Sequence, residues 1–314
     1  MYAARFVVAL STAISLLTAC GGGGGGSSPV KGPVQFTAFS AIQTGQTVQA
    51  NAMSQTAAGT RDPGSIPPGL VTSITANPLD TANSSAQLTY GALPAMTAFS
   101  FNTPQSSESF SGANVQCVAH SGVCGGGNAN TQAVVINPLD PPAPALAWNY
   151  QSFGYWLSFP SSTTVAAGAI SFGKVTPVTG IPTSGTATYQ GLSSGGYIDP
   201  SGAGFVHAAQ MTSNVDFGAR SVAFSTSNST SAPLSSPVVT TPIPALNLSG
   251  TLTYAPGSNQ FTGLVTTSGS VSDPAMAGSA TGRFYGPNAE ELGGVFALKG
   301  TGPQGMLGGF GGKR

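Results

Sequence analysis

Residues 278–300 read GSATGRFYGPNAEELGGVFALKG, and this stretch decides the fold. One apolar run ends at Phe284 and Tyr285, and a second follows the acidic pair Glu290–Glu291. The Gly, Pro and Asn between the two runs are residues that favour turns. The stretch therefore predicts a β-hairpin, and we expect both carboxylates to lie in solvent in its turn.

A second motif lies upstream, where residues 172–191 read FGKVTPVTGIPTSGTATYQG. The two stretches together resemble the β-barrel of the transferrin-binding protein B family of surface lipoproteins, with Ile181 where Met is common. The resemblance implies a binding protein and no enzymatic activity. The motif residues to which it gives structural roles are Gly185, Tyr189, Gly191, Gly282, Phe284, Gly286, Ala289, Glu291, Gly293, Gly294 and Phe296.

The composition favours an extracellular all-β protein. Charged residues make up 6% of the 314-residue chain, against about a quarter in ordinary globular proteins. The 44 Gly and 24 Pro disfavour helix interiors throughout the sequence. Because the formal net charge is zero and no basic stripe is present, we expect no nucleic-acid partner, and recognition through shape, aromatic side chains and hydrogen bonds.

The N-terminus predicts export and lipid attachment. Arg5 precedes an apolar run at 6–17 that is too short to span a membrane and is typical of a secretory signal. Residues 17–20 read LTAC, which matches the bacterial lipobox. We therefore interpret 1–19 as a signal peptide and Cys20 as the site of a lipid anchor. Ordinary secretion with an incidental cysteine is the alternative.

Residues 20–33 continue as a Gly/Ser tether, which would hold a folded domain away from a lipid surface. Gly21 is not the Asp that tends to retain lipoproteins in the inner membrane of diderm bacteria. We therefore expect a lipid-anchored outer-membrane protein displayed at the cell surface. The family resemblance implies a dedicated outer-membrane translocator as a partner.

Two cysteines remain once Cys20 is assigned to lipid. The six residues between Cys117 and Cys124 suit a loop-closing disulfide in an oxidising compartment. The alternative is a zinc site that uses both cysteines and His120, but it lacks a clear fourth ligand, and we expect no metal.

The chain divides in two at a Pro-rich stretch, residues 137–145. Residues 34–145 contain short β-prone segments, which we interpret as a small sheet domain of the handle kind. Residues 146–314 predict an eight-stranded antiparallel β-barrel, and the resemblance puts its first strand in the aromatic stretch 147–159. The other expected strands lie at 169–174, 184–190, 204–217, 219–226, 246–254, 259–271, 278–286 and 292–300.

Three residues are candidates for ligand contact. Some relatives of the resembled family capture haem, so His120 or His207 could supply an axial ligand. The alternatives are a surface histidine in the disulfide loop and a hydrogen-bonded strand histidine. Tyr197 follows two glycines and could anchor a carbohydrate or a host protein, or pack on its own barrel.

These observations predict a surface lipoprotein that binds a host or environmental ligand and hands it to an outer-membrane transporter. The expected ligand is an iron source, such as haem or an iron or haem protein. The chain has room for one handle-and-barrel lobe, so transferrin itself is not the expected ligand. The alternative is a structural or protein-recruiting lipoprotein with no small ligand. Ser193 lacks a nucleophile motif, and the chain has two histidines, so we expect no catalysis.

Overall fold

The computed structural model describes residues 32–66, 69–143, 146–234 and 240–314. These residues form two β-sheets, which follow each other in sequence and pack against each other. The predicted signal peptide, Cys20 and most of the predicted tether lie outside the described residues. Helix within the described part consists of short 3-10 turns, such as Phe39–Ala41, and no helix there is long and apolar enough to cross a bilayer.

The first sheet contains eleven strands and curls into a nearly closed barrel. The strands are β1 (Val34–Gln35), β2 (Thr47–Asp62), β3 (Leu70–Ala76), β4 (Asp80–Tyr90), β5 (Met96–Asn102), β6 (Ser107–Ser111), β7 (Val115–Val118), β8 (Val123–Gly127), β9 (Thr131–Ile136), β10 (Gln151–Ser158) and β11 (Thr164–Gly173). Their order is β6-β5-β4-β2-β11-β10-β9-β8-β7, with β1 and β3 also paired to β2. The two ends of the curled sheet approach each other where the rings of Phe99 and Phe110 lie against Gly126.

The second sheet is a closed barrel. Its strands are β12 (Thr186–Ile198), β13 (Gly204–Asp216), β14 (Ser221–Pro233), β15 (Thr241–Pro242), β16 (Leu248–Thr253), β17 (Gln260–Thr267), β18 (Ala277–Tyr285), β19 (Glu291–Lys299) and β20 (Gly305–Lys313). The order is β13-β12-β20-β19-β18-β17-β16-β14, and β13 pairs with β14 to close the ring, with the short β15 beside β14. Every pairing is antiparallel, so the predicted eight-stranded antiparallel barrel is confirmed.

The barrel interior is filled by alternate residues of each strand. In β13, Met211, Ser213 and Val215 are buried, while Thr212 and Asn214 between them are partly or fully exposed. Phe284 of the hairpin motif lies in this core. Its ring is 5.2–6.3 Å, between centroids, from the rings of Tyr189, Phe217, Tyr254 and Phe261. The motif aromatic is therefore a core residue.

The two sequence motifs meet in space at the hairpin turn. Tyr189 donates its hydroxyl hydrogen to the carbonyl of Ala289, and Thr176 donates to the carbonyl of Gly286 at 2.6 Å. Gly286 has a φ of +87°, which favours glycine. The hairpin at 278–300 is thus confirmed as β18 and β19, and the upstream motif holds its turn in place.

The aromatic stretch 147–159 does not open the barrel, so its expected role as the first barrel strand is wrong. Strand β10 within it pairs with β9 and β11 in the first sheet. The eighth barrel strand is instead β20, which pairs with β12 and β19. Five of the nine residues of β20 are Gly, and glycine is depleted in strands, so the sequence pattern missed it. The first sheet ends at Gly173 and the barrel begins at Thr186.

The glycines of β20 make room for the first sheet on the outside of the barrel. A Cβ atom on Gly309 would lie 2.7 Å from the ring of Phe153, and one on Gly311 would lie 2.3 Å from Nε2 of Gln151. The alternate residues Met306 and Phe310 belong to the barrel core. Strand β20 is therefore packed on both faces, and glycine is what lets the two sheets approach closely.

Apolar side chains extend this interface along β2. Residues 52–57 are buried without interruption, because one face of the strand packs in the core of the first sheet and the other face packs against the barrel. The shared cluster contains Met53, Ala57, Ala169, Val295 and Leu307. The two sheets thus form one continuous packed body around this contact.

Candidate functional site

A cleft of about 850 Å³ lies between the two sheets. Strands β2, β3, β10 and β11 of the first sheet line one side, and β12, β13 and β17 to β20 of the barrel line the other. This volume is within the range usual for sites that bury a small molecule. The cleft is therefore our candidate site, and it exists only because the two sheets pack against each other.

The walls of the cleft are mainly aliphatic. The aliphatic lining side chains include Val71, Ile74, Leu79, Leu157, Val165, Leu234, Leu264, Leu298 and Leu307. Leu264 is 79% exposed although it belongs to a strand, so apolar surface is presented to solvent at this edge. Exposed apolar surface in a concave site favours an apolar ligand group over a wholly polar one.

Arg61 is the most distinctive polar residue in the cleft. The carbon of its guanidinium lies 4.7 Å from the ring centroid of Phe159, in a cation–π contact. Gly69, with a φ of +86°, leaves the space that the guanidinium occupies, since a Cβ there would lie 2.3 Å from Nη2. Its Nε is buried without a hydrogen-bond partner among the described residues.

Among the described residues that line the cleft, the charged ones are Arg61 and Lys299, and none is Asp or Glu. Lys299 is exposed, and its Nζ donates to the carbonyl of Gly302 at 2.7 Å. Sequence reasoning missed both cations. The available signal was their rarity, because the whole chain has nine Lys and Arg residues.

Tyr197 packs on its own barrel, which is one of the two alternatives that the sequence left open. It lies near the end of β12, only 2% exposed, with its ring 5.9 Å from that of Phe205. Its hydroxyl donates to the carboxylate of Asp273, and burial, followed by this contact, raises the pKa of the phenol. Tyr197 also lines the cleft, so it bounds the candidate site from the barrel side.

His207 lies in β13, inside the barrel, and is 1% exposed. One ring nitrogen, Nε2, lies 3.3 Å from the hydroxyl of Ser229, and Nδ1 has no hydrogen-bond partner among the described residues. Burial lowers its pKa to about 3, so the ring is neutral at physiological pH. A haem iron could not reach this nitrogen unless the barrel opened.

His120 is exposed on the first sheet, in the loop between β7 and β8. Its Nδ1 lies 3.0 Å from Oδ1 of Asp140, and the other carboxylate oxygen, Oδ2, accepts the backbone N–H of His120 at 2.8 Å. The loop is closed by the predicted disulfide, Cys117–Cys124, which is confirmed and which leaves no thiolate for the alternative zinc site. The described residues contain no cluster of three or more His, Cys, Asp or Glu side chains suited to a metal.

Glu291 joins the two sheets, and the expectation that it lies in solvent is wrong. Its carboxylate accepts the backbone N–H groups of Asn149, Tyr150 and Gln151, the last two at 2.9 Å. The side chain is 3% exposed, and burial raises its pKa to about 7, although these hydrogen bonds oppose the rise. Glu290 does belong to the turn, where it accepts hydrogen bonds from Asn288.

Comparison with known proteins identifies the barrel. A family model described as the C-lobe and N-lobe beta barrels of Tf-binding protein B matches residues 181–314, a range that contains every barrel strand. No curated protein matches the sequence.

Solved structures with likeness to the chain include three transferrin-binding proteins B. A variant of the Haemophilus parasuis protein is 14% identical, with 84% of this chain and 75% of that chain covered and a TM-score of 0.43. A variant from Actinobacillus pleuropneumoniae is 15% identical, with 82% and 98% covered and a TM-score of 0.43. The isotype 1 protein of serogroup B Neisseria meningitidis is 19% identical, with 78% and 49% covered and a TM-score of 0.43.

The fold and the family match define the class of protein. It is an all-β protein in which an eight-stranded antiparallel barrel packs on a second, nearly closed sheet. Its barrel, residues 181–314, matches the barrel family of transferrin-binding protein B, and the resemblance drawn from the two motifs is confirmed for this part of the chain.

Proposed function

We propose that the protein is a lipoprotein of the outer membrane, anchored through Cys20 and exposed at the cell surface, that captures an external ligand. The observation that carries this proposal is the match of residues 181–314 to the barrels of transferrin-binding protein B. The lipobox at 17–20 and the glycine tether after it support the anchor. Capture, not catalysis, is the role that a barrel with a packed apolar core supports.

The ligand of this capture protein is an iron source, either haem or an iron- or haem-carrying protein, and an outer-membrane transporter receives it. For haem, the accessible ring of His120 is the candidate axial ligand, because that side chain is 89% exposed. His207 is excluded from this proposal because it is enclosed by the barrel core.

Affinity capture tests the proposal. The full chain, immobilised, is exposed in turn to hemin, haemoglobin and both iron-loaded and iron-free transferrin. We expect retention of at least one iron source and, if hemin is retained, a Soret shift that His120→Ala removes and His207→Ala preserves. A chain with an intact circular dichroism spectrum that retains none of these sources would refute iron capture.

The membrane anchor has its own test. Cys20→Ser should move the protein from the membrane fraction to the soluble fraction, because acyl chains supply the membrane affinity. Protease added to intact cells should digest the wild-type protein. Protection from protease in intact cells, with digestion after lysis, would contradict surface exposure.

A protein-recruiting lipoprotein with no small ligand is the second candidate. The observation that favours it is the near-complete exposure of two apolar side chains, Ile66 and Val271, which could anchor a protein partner. In that case Ile66→Asp or Val271→Asp should abolish capture of a serum protein, and expression should not respond to iron limitation. Induction by iron limitation would favour the iron-source role.

A further inference from the structure

We propose that the cleft between the two sheets binds an amphipathic anion, a single acyl chain with one anionic head group, and that Arg61 binds the head group. This inference rests on the proposed capture function and adds the chemistry of one ligand. The site is built from both sheets, so its shape depends on the contact between them.

The walls specify the apolar part of the ligand. Leu79, Leu157 and Leu298 are aliphatic and come from different elements on both sides of the cleft. Phe159 is the aromatic residue beside Arg61, and the guanidinium already covers one face of its ring. A flexible alkyl chain can follow such a branched aliphatic surface, whereas a wholly polar ligand would lose its hydration without compensation.

Arg61 specifies the anionic part. Its guanidinium offers five N–H donors in a fixed fork that fits a carboxylate or a phosphate. None of the described residues accepts a hydrogen bond from its side chain, and Nε is buried. A buried donor without an acceptor is costly, so an anion placed on this fork would restore hydrogen bonds that the protein itself does not supply.

The charge balance of the cleft supports an anion. Arg61 and Lys299 line the cleft, and no carboxylate from the part of the chain that the structure describes does so. The nearby acids are occupied locally, since Asp62 accepts the backbone N–H of Gly64 at 2.8 Å and Asp199 accepts that of Ser201 at 2.8 Å. In a chain of zero formal charge, two cations without an acid form a local positive site.

Displacement of a fluorescent fatty acid, cis-parinaric acid, tests the proposal on the full chain carrying Cys20→Ser, which has no acyl group of its own. The competing probes are oleate, oleoyl-lysophosphatidylglycerol and neutral oleyl alcohol. We expect both anions to compete and oleyl alcohol to compete about tenfold less well, since a charged hydrogen bond is lost. The tighter of the two anions identifies the source as free fatty acid or membrane lipid.

Variants locate the site. Arg61→Gln should weaken oleate about tenfold or more and leave oleyl alcohol unchanged, whereas Arg61→Lys should retain part of the affinity. The matched control is Arg220→Gln, an exposed arginine outside the cleft lining, which should have no effect. Ala277→Trp should block the cleft and weaken both ligands. Melting temperatures near the wild-type value establish that each variant is folded.

Three results would overturn the inference: no displacement by either anion, equal affinity for oleate and oleyl alcohol, or equal effects of Arg61→Gln and Arg220→Gln. A parallel binding measurement with hemin, haemoglobin and transferrin distinguishes failure of this inference from failure of the proposed function. Retention of hemin, haemoglobin or transferrin by a chain that does not bind oleate would leave capture standing and remove only the acyl anion from the cleft.

Discussion

Glu291→Gln should change how the stability of the protein depends on pH. The carboxyl of Glu291 is buried where the two sheets meet, and its pKa is raised from 4.5 to about 7, mainly by burial. The folded chain therefore binds this proton more tightly than the unfolded chain does. It follows that the stabilising contribution is complete below about pH 4.5 and is lost as the pH rises through about 7.

The magnitude follows from the size of the pKa change. Each pKa unit corresponds to about 1.4 kcal/mol, so the change from 4.5 to about 7 corresponds to about 3 kcal/mol in the free energy of unfolding. Gln at this position is uncharged at every pH. The stability of the wild type relative to the variant should therefore fall by about 3 kcal/mol between pH 4.5 and pH 8.

Urea denaturation between pH 4.5 and 8 measures this difference, with the fluorescence of the buried Trp148 and Trp156 as the signal. His207 contributes with the opposite sign, because its pKa is lowered to about 3 and its contribution to stability is lost as the pH falls below about 6.5. Its contribution is the same in both proteins and cancels in the difference.

Glu290→Gln is the matched control, because Glu290 is the neighbouring carboxylate and bonds within the turn instead of joining the sheets. It removes a neighbouring carboxylate without changing the junction of the two sheets, so it reports the effect of the same substitution in the turn. If Glu291→Gln gave a pH profile parallel to that of the wild type, the carboxyl would not hold the proton as argued, and the reasoning about this junction would be refuted.

Three further predictions follow from packing and exposure. Gly311→Val should lower the free energy of unfolding, measured by urea denaturation, by about 2 kcal/mol or more, because a Cβ there would lie 2.3 Å from a buried amide nitrogen. The control is Gly196→Ala, where a Cβ would have no atom within 4 Å. Its free energy of unfolding should be within about 0.5 kcal/mol of the wild-type value. Replacing both cysteines of Cys117–Cys124 with Ser should cost about 2 kcal/mol, and an unchanged denaturation midpoint would contradict this. Diethyl pyrocarbonate should modify His120 and spare His207 in the folded chain, as read by peptide mass spectrometry, and modification of both would show that the barrel opens.

The sequence was informative where local pattern and packing agree. Phe284 lies in an alternating strand beside a turn of Gly, Pro and Asn, and the structure has that hairpin with the ring in the barrel core. The disulfide between Cys117 and Cys124 was also predicted correctly, because a short spacing in an exported chain indicates a local disulfide.

The sequence misled where a residue is used for contact with distant parts of the chain. Glu291 reads as a charged turn residue, yet it accepts hydrogen bonds from residues about 140 positions earlier in the chain. The sequence did not predict strand β20, because the local pattern does not show that its outer face packs against Phe153 and Gln151. For Tyr197 the sequence left two alternatives open, and in the barrel it is buried beside Asp273.

The sequence by itself determined the all-β class, the hairpin at 278–300 and the disulfide, because these follow from composition, side-chain periodicity and short spacings. The eight-stranded barrel was expected with the help of the family resemblance, but two of its strands were assigned incorrectly. Only the tertiary structure decided that β10 belongs to the first sheet and that β20 closes the barrel. It also decided that Arg61 faces a cleft lined from both sheets. Strand partners and cleft walls are set by contacts between residues far apart in sequence, and such contacts have no local periodic signature.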